Sequence, residues 1–450
     1  MELTQFRNAL FTEGEKMGFS NLELSYEKQD NFSCEVFKGE VDGYQSSSVQ
    51  GVSIRGMYDG RTGYAYTEKI TADSIEFLLE NAKENASLSE TEPETLFSGA
   101  ASYEKVELYS PLLDEVTIAE KIAFIKEVEK KVYDADTRVI QADYAAIRNE
   151  TTEKALFNSK GLALNEHNNF LSVFVSVLVK ENGEVKSAYH YETTKDFTSL
   201  DADRIAKKAV EKALSYLGAK SYPNKTYPVI LKHTAAASLL ATFVSSFSAE
   251  TVQYEQSMLK GKLGEQIASE IIDLEDNPFL SDGLCSATFD AEGVPTKKCS
   301  IVKNGKLQTF FHNQKTAEKD GIKSTGHGTK QTYKGTLEVS PSNFFIVPSK
   351  IAYEQLYGDM DEGVIITGLA GLHSGANPIS GDFSLAADGF FVKDGKIAGP
   401  TNQMTVAGNF FDLLKDVKEV ASDLEFTPMT IAGYIGSPSL RIGSLAVTVD

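Results

Sequence analysis

Residues 173–191 read VFVSVLVKENGEVKSAYHY, and this stretch decides how the first half of the chain folds. Val173, Val175, Val177 and Val179 recur at every second position, the period of a strand with one buried face. Asn182-Gly183 is the dipeptide type that most readily takes positive φ in a two-residue hairpin turn. A returning strand carries Tyr189-His190-Tyr191. A helical stripe of Ile205, Ala209, Ala213 and Leu217 then runs to Gly218.

The same order occurs earlier in the chain. Val52 and Ile54 alternate toward Asp59-Gly60, Tyr64-Ala65-Tyr66 follows, and a helix opening at Thr71 as N-cap carries Ile75, Leu78, Leu79 and Ala82 on one face. Hairpin, Tyr-x-Tyr and helix in the same order read as an internal duplication. Two unrelated hairpin–helix units would give the same pattern. Between the copies, Thr117 and Glu120 form a capping-box pattern ahead of a third helix with Ile118, Ile122, Ile125, Val128 and Val132 on one stripe. The expected architecture of residues 1–222 is therefore an α+β domain with helices covering the sheet.

Pro223, in the polar stretch SYPNKTYP, marks a boundary near residue 222. Beyond it the sequence predicts a strand at Val229 to Leu231 and an Ala-rich helix from about Thr234 to Phe247. Short strands and glycine turns then dominate, including two similar hairpins, Val302 to Lys306 and Val392 to Lys396. Residues 223–450 are expected to form a second, β-rich domain with a curved or barrel-like sheet, giving a two-domain α+β fold.

Composition narrows the function classes. A formal charge of -20 opposes the phosphate backbone, which argues against direct nucleic-acid binding. Three dispersed cysteines, Cys34, Cys285 and Cys299, fit a reducing compartment better than a disulfide framework. The opening residues mix charges at helical spacing, and no long apolar run occurs. The expectation is a cytoplasmic protein without a membrane span.

The six histidines are His167, His190, His233, His312, His327 and His373. No two of them lie one helical turn apart and none is followed by Glu, so a zincin-type helix cannot be built. No G-x-S-x-G elbow, phosphate loop or dinucleotide fingerprint is present. Two other arrangements remain open on sequence. Histidines of the β-rich half could converge with Glu250, Asp382 or Asp388, although isolated histidines are more often packed or solvated. Cys285 and Cys299 read as small buried residues, the Tyr-x-Tyr pairs as half-buried strand residues, and Asp273 to Asp276 as a solvated acidic cluster.

Several segments, in order, resemble one family. They are Gly264-Glu265-Gln266-Ile267-Ala268-Ser269, Phe289-Asp290-Ala291-Glu292-Gly293-Val294-Pro295-Thr296 and Lys323-Ser324-Thr325-Gly326-His327. Ser380-Gly381-Asp382-Phe383-Ser384, Ala387-Asp388-Gly389-Phe390 and Ala407-Gly408-Asn409-Phe410 complete the set. Together they are similar to the TldD/PmbA family, in its PmbA (TldE) branch, over about residues 245 to 445. Agreement is looser around the Gly51 to Gly56 hairpin. The resemblance implies a two-domain protein that dimerises and encloses a cavity. It also carries the family's name as modulator of DNA gyrase. Catalytic members hydrolyse small or unfolded peptides with a metal held by an HExxxH helix and a later cysteine. Here the corresponding segment reads Ser246-Phe247-Ser248-Ala249-Glu250-Thr251-Val252-Gln253, and no cysteine follows Ala421. No catalytic, metal-binding or cofactor-binding residue is carried over, and zinc is expected on a TldD-like partner instead.

The leading expectation is a non-catalytic subunit of a TldD/TldE-type metallopeptidase acting on small or unfolded peptides, paired with a TldD-like catalytic subunit, with itself, or both. Such a subunit can still offer sheet edges to extended peptides, with Gly368, Gly371, Gly375 and Gly381 allowing close backbone approach or serving turns alone. The alternatives are a self-sufficient metallohydrolase with dispersed ligands and a non-proteolytic regulatory binding protein of the gyrase-modulator type.

Overall fold

A computed structural model describes residues 1–89, 95–427 and 433–449; Asp450, the last residue of the expected second domain, lies outside them. The first half holds one six-stranded antiparallel sheet. Its strands are β1 (Asn21–Phe37), β2 (Glu40–Tyr58), β3 (Arg61–Thr67), β4 (Val139–Asn158), β5 (Ala163–Glu181) and β6 (Glu184–Thr194), in the order β3-β2-β1-β4-β5-β6. Helices α1 (Leu3–Lys16) and α2 (Asp73–Leu88) flank the first three strands in sequence. After a single turn, α3 (Pro111–Glu115), helices α4 (Ile118–Ala135) and α5 (Ala202–Ser215) flank the second three.

The two units are thus helix–three strands–helix repeats, related by a pseudo-two-fold axis between β1 and β4. β2 and β5 are each 19 residues long. The turns between strands two and three of each unit are the expected ones, with Asp59 and Gly60 at φ 49° and 73° and Asn182 and Gly183 at 50° and 89°. One sequence reading changes: the helix between the copies is the opening helix of the second unit, the counterpart of α1. Its capping box is present, Thr117 accepting from the Glu120 amide and Glu120 from the Thr117 amide. Thr71 precedes the N-cap position, which is Ala72.

Alternation gives the sheet two unlike faces. Leu22, Leu24, Val52 and Ile54 turn toward α1 and α2. Cys34, Val36 and the four valines of β5 turn toward α4 and α5, and those valines are fully buried. Burying each such side chain contributes about 1.5–3 kcal/mol. The opposite face looks toward the second half of the chain.

There β7 (Lys225–Leu231) leads into α6 (His233–Phe243), which continues as a 3-10 turn, Val244–Phe247, where the sequence predicts one helix. β7 pairs in parallel with Glu362–Ala370 and antiparallel with Leu440–Val449. Leu440–Val449 pairs with Met404–Asn409, which pairs with Asp382–Lys393, and that strand returns to Glu362–Ala370. Five strands therefore close a ring, the barrel expected from the close-spaced glycine turns. A second, open sheet includes Leu274–Asp276, Cys299–Lys303 and Asn343–Ile346. Both expected hairpins occur, with positive φ at Asn304-Gly305 and Asp394-Gly395. Among the described residues no helix is long and apolar enough to cross a membrane.

Candidate functional site

The helix-free face of the first sheet and the loops of the second half enclose a cavity of about 660 Å³. The sheet contributes Glu27 from β1, Lys154 from β4 and Glu166 from β5. These side chains share a face because Glu27 lies opposite Lys154, and Lys154 opposite Glu166, in the antiparallel register. The other wall includes Cys285, Asp290 and Lys330.

Burial pushes the carboxyls of Glu27 and Glu166 up from their ordinary values, with Lys154 opposing it in both. Glu166 also accepts from the Thr288 amide at 2.9 Å, which ties β5 to the facing loop. Burial likewise pushes the Cys285 thiol up to about 12, so it is not an activated nucleophile.

The Asp290 to Thr296 segment acts as a clasp between the halves. Asp290 accepts from the amides of Glu292 (2.9 Å), Val294 (3.0 Å) and Gly328 (2.9 Å), closing its own turn and holding the neighbouring strand. Burial and the adjacent Glu292 nevertheless push its carboxyl up to about 8. Glu292 accepts from the Gln314 amide at 2.7 Å and from Arg55 Nη1 at 3.3 Å, while Arg55 Nη2 donates to Glu23 at 2.8 Å. Arg55 is only 2% exposed, so one guanidinium lies between two buried carboxylates drawn from the two halves. Lys330 donates to Ser25 at 3.2 Å beside this pair.

The histidines meet only in part. The amide of His327 donates to the carbonyl of His312 at 3.3 Å. His327 Nε2 stands 3.1 Å from Asp276 Oδ2, and its Nδ1 2.7 Å from Thr325 Oγ1. Asp276, read from the sequence as part of a solvated cluster, is 1% exposed. Its backbone is a buried strand of the second sheet, and its carboxylate also accepts from Ser342. Burial pushes His312 down from its usual value. His373 lies on the short helix Leu372–Gly375, Asp382 accepts from Ser380 and Asn409, and Asp388 sits on the barrel strand Asp382–Lys393. Among the described residues no three His, Cys, Asp or Glu side chains are grouped to hold a metal ion.

The segment Ser246 to Gln253 is committed to backbone architecture. Ser246 donates to the Pro378 carbonyl at 3.0 Å, Ser248 caps the helix Ala249–Gln253, and Gln253 donates to Thr316 and Asp320. Only Glu250 offers a metal-binding group there, and burial pushes its carboxyl up. This donor set does not fit a zinc ion, which takes imidazole, thiolate or carboxylate ligands in fours, or in threes with water. Of the glycines singled out, Gly371 and Gly381 have φ of 80° and 83° and serve turns. A Cβ at Gly375 would stand 2.4 Å from the Ser384 carbonyl oxygen. The sequence reading missed Arg55, Glu23 and Glu292 as a set, because the partners of the Arg55–Glu292 bond are 237 positions apart.

Comparison with known proteins places these features in a family. Profiles of the PmbA/TldA metallopeptidase match in chain order: domain 1 over residues 22–86, the central domain over 111–217 and the C-terminal domain over 224–449. The metalloprotease PmbA of Escherichia coli O157:H7 is 26% identical over 93% of this chain and 91% of its own length. An uncharacterised protein of Methanocaldococcus jannaschii is 30% identical over 90% and 92%. Among solved structures, a Thermotoga maritima protein named as a candidate modulator of a DNA gyrase superposes with a TM-score of 0.91 at 32% identity, covering 99% of this chain and 100% of that one. TldE from Thermococcus kodakarensis superposes at 0.88 with 25% identity, covering 98% and 100%.

Proposed function

Because this chain belongs to the PmbA/TldD metallopeptidase family, on its PmbA/TldE branch, we propose that it is the metal-free subunit of a two-subunit cytoplasmic peptidase. In this reading a TldD-like subunit supplies zinc and water activation, and this chain pairs with that subunit and, when alone, with itself. The substrates are small or unfolded peptides. The observation that carries the reading is the Ser246 to Gln253 segment, whose serines and glutamine bond backbone and which contains no histidine. The cavity between the first sheet and the loops of the second half supports a peptide-handling role, since one wall is made of strands and the lining carries both carboxylates and lysines for polar main-chain groups.

The test is peptidase activity and zinc content for this chain alone, for a TldD-like subunit alone and for the mixture, on an unstructured peptide. Cleavage that requires both chains, with zinc on the TldD-like chain only, is the expected result. Chelator-sensitive cleavage by this chain alone would overturn it.

A further inference from the structure

The strand wall of the cavity carries charges that the fold itself leaves unused. Glu27 of β1, Lys154 of β4 and Glu166 of β5 stand in one cross-strand row, each directly opposite the next. Opposed residues hold their Cβ atoms about 4.5–5.5 Å apart, close enough for ion pairs. On the reverse face of the same strands the opposed Lys28 and Glu153 do pair, at 3.7 Å. In the cavity row, neither Glu27 nor Lys154 makes a side-chain hydrogen bond or ion pair among the described residues. Three other charged groups of the lining are engaged within the fold. Lys330 donates to Ser25 and lies 3.9 Å from Glu23, Asp290 accepts from three backbone amides, and Glu166 uses one oxygen on Thr288.

The wall therefore lacks a donor beside Glu27 and an acceptor beside Lys154. Burial raises the Glu27 carboxyl, so its charged form gains from a cation set against it, and Glu150 on the same wall adds to the negative field there. Asn168 follows Glu166 by two residues on β5 and shares its face. Its Oδ1 is buried and has no hydrogen-bond partner among the described residues, a second acceptor on this wall that meets no donor.

The amino terminus of a peptide offers both missing groups side by side. Its ammonium is a cation and a donor, and the first carbonyl, an acceptor, follows across a single Cα. Lysine and arginine side chains carry a cation with no acceptor beside it, so Lys154 would oppose them. A terminal carboxylate would have to approach Lys154 between two glutamates. Leu156 and Phe170 on the same wall give the first side chain an apolar surround.

We propose that this cavity binds the free amino terminus of a short peptide, with the ammonium on Glu27 and the first carbonyl oxygen on Lys154. The proposal rests on the reading that the chain handles peptides, and it adds which end is recognised and by which residues. The test is calorimetric titration of the purified chain alone, in salt that screens its overall charge. The probes are tetra-alanine amide, its N-acetyl form, and an N-acetyl form carrying one lysine. The wild type should bind the free peptide roughly tenfold or more tightly than either acetylated one. Glu27→Gln should remove that preference, Glu27→Asp, which keeps the charge, should retain it, and Lys154→Met should weaken the free peptide about fivefold. Glu211→Gln, at an exposed position on α5, should change nothing, which sets aside a general effect of the net charge. No binding, equal binding of free and acetylated peptides, a preference that survives Glu27→Gln, or undiminished affinity in Lys154→Met overturns the proposal. Tight binding of the acetylated lysine peptide would reassign the cavity to basic side chains and overturn it as well. The two-chain cleavage assay is read separately. Cleavage that needs both chains without this preference defeats the inference alone, and the preference without that need defeats the reading.

Discussion

Asp290 carries the clearest dependence on pH. An aspartate in an unfolded chain ionises near about 3.9, whereas burial and Glu292 hold Asp290 up to about 8 in the fold. The folded state therefore favours the protonated carboxyl. The stability this group contributes is complete below about pH 4 and is lost as pH rises through about 8. Between about pH 4 and 8 the wild-type melting temperature should fall relative to that of Asp290→Asn, whose amide cannot ionise. A wild-type melting temperature that climbs relative to that of Asp290→Asn over this interval would contradict the assignment. The sequence showed Asp290 only as part of a segment, Phe289 to Thr296, that resembles the family. Its role depends on the Gly328 amide, which no local pattern places beside it.

At the scale of elements, glycine marks where strands and helices are forced together. A Cβ on Gly389 would stand 1.8 Å from the Ile365 carbonyl oxygen, at the seam where the barrel ring closes. A Cβ on Gly63 would stand 1.8 Å from the Ala82 carbonyl oxygen of α2. Either Gly→Ala change should cost about 1–3 kcal/mol or more, as overpacking does, measured by urea unfolding. Gly335→Ala, where the nearest atom would be 3.5 Å away, should change little. Turns were legible where Asp-Gly or Asn-Gly falls between two apolar runs: Asp59-Gly60, Asn182-Gly183, Asn304-Gly305 and Asp394-Gly395 all take positive φ, whereas Asp42-Gly43 and Asp388-Gly389 lie within strands. The equivalence of α1 and α4 was not legible. Their amphipathic stripes resemble those of any surface helix, and only the strand order β3-β2-β1-β4-β5-β6 reveals the symmetry.

Across the whole molecule, Arg55 joins the halves. Replacing it with methionine strands Glu23 and Glu292 as buried carboxylates, and removing one partner of a buried ion pair costs about 3–5 kcal/mol. Urea unfolding followed by circular dichroism, suited to a chain without tryptophan, should show a loss of that size. A loss below about 1 kcal/mol, typical of an exposed pair, would show that the contact is unimportant. The barrel ring also sets a timetable. β7 is flanked on one side by Leu440–Val449, so a ribosome must translate nearly half the chain between the two neighbours. At about 5–20 residues per second the early strand waits tens of seconds with an open edge. The first sheet, all six of whose strands precede β7, can be complete before that wait begins. Chain order thus lets the N-terminal half serve as a platform for a barrel assembled late, with the β7 edge open until its neighbours emerge.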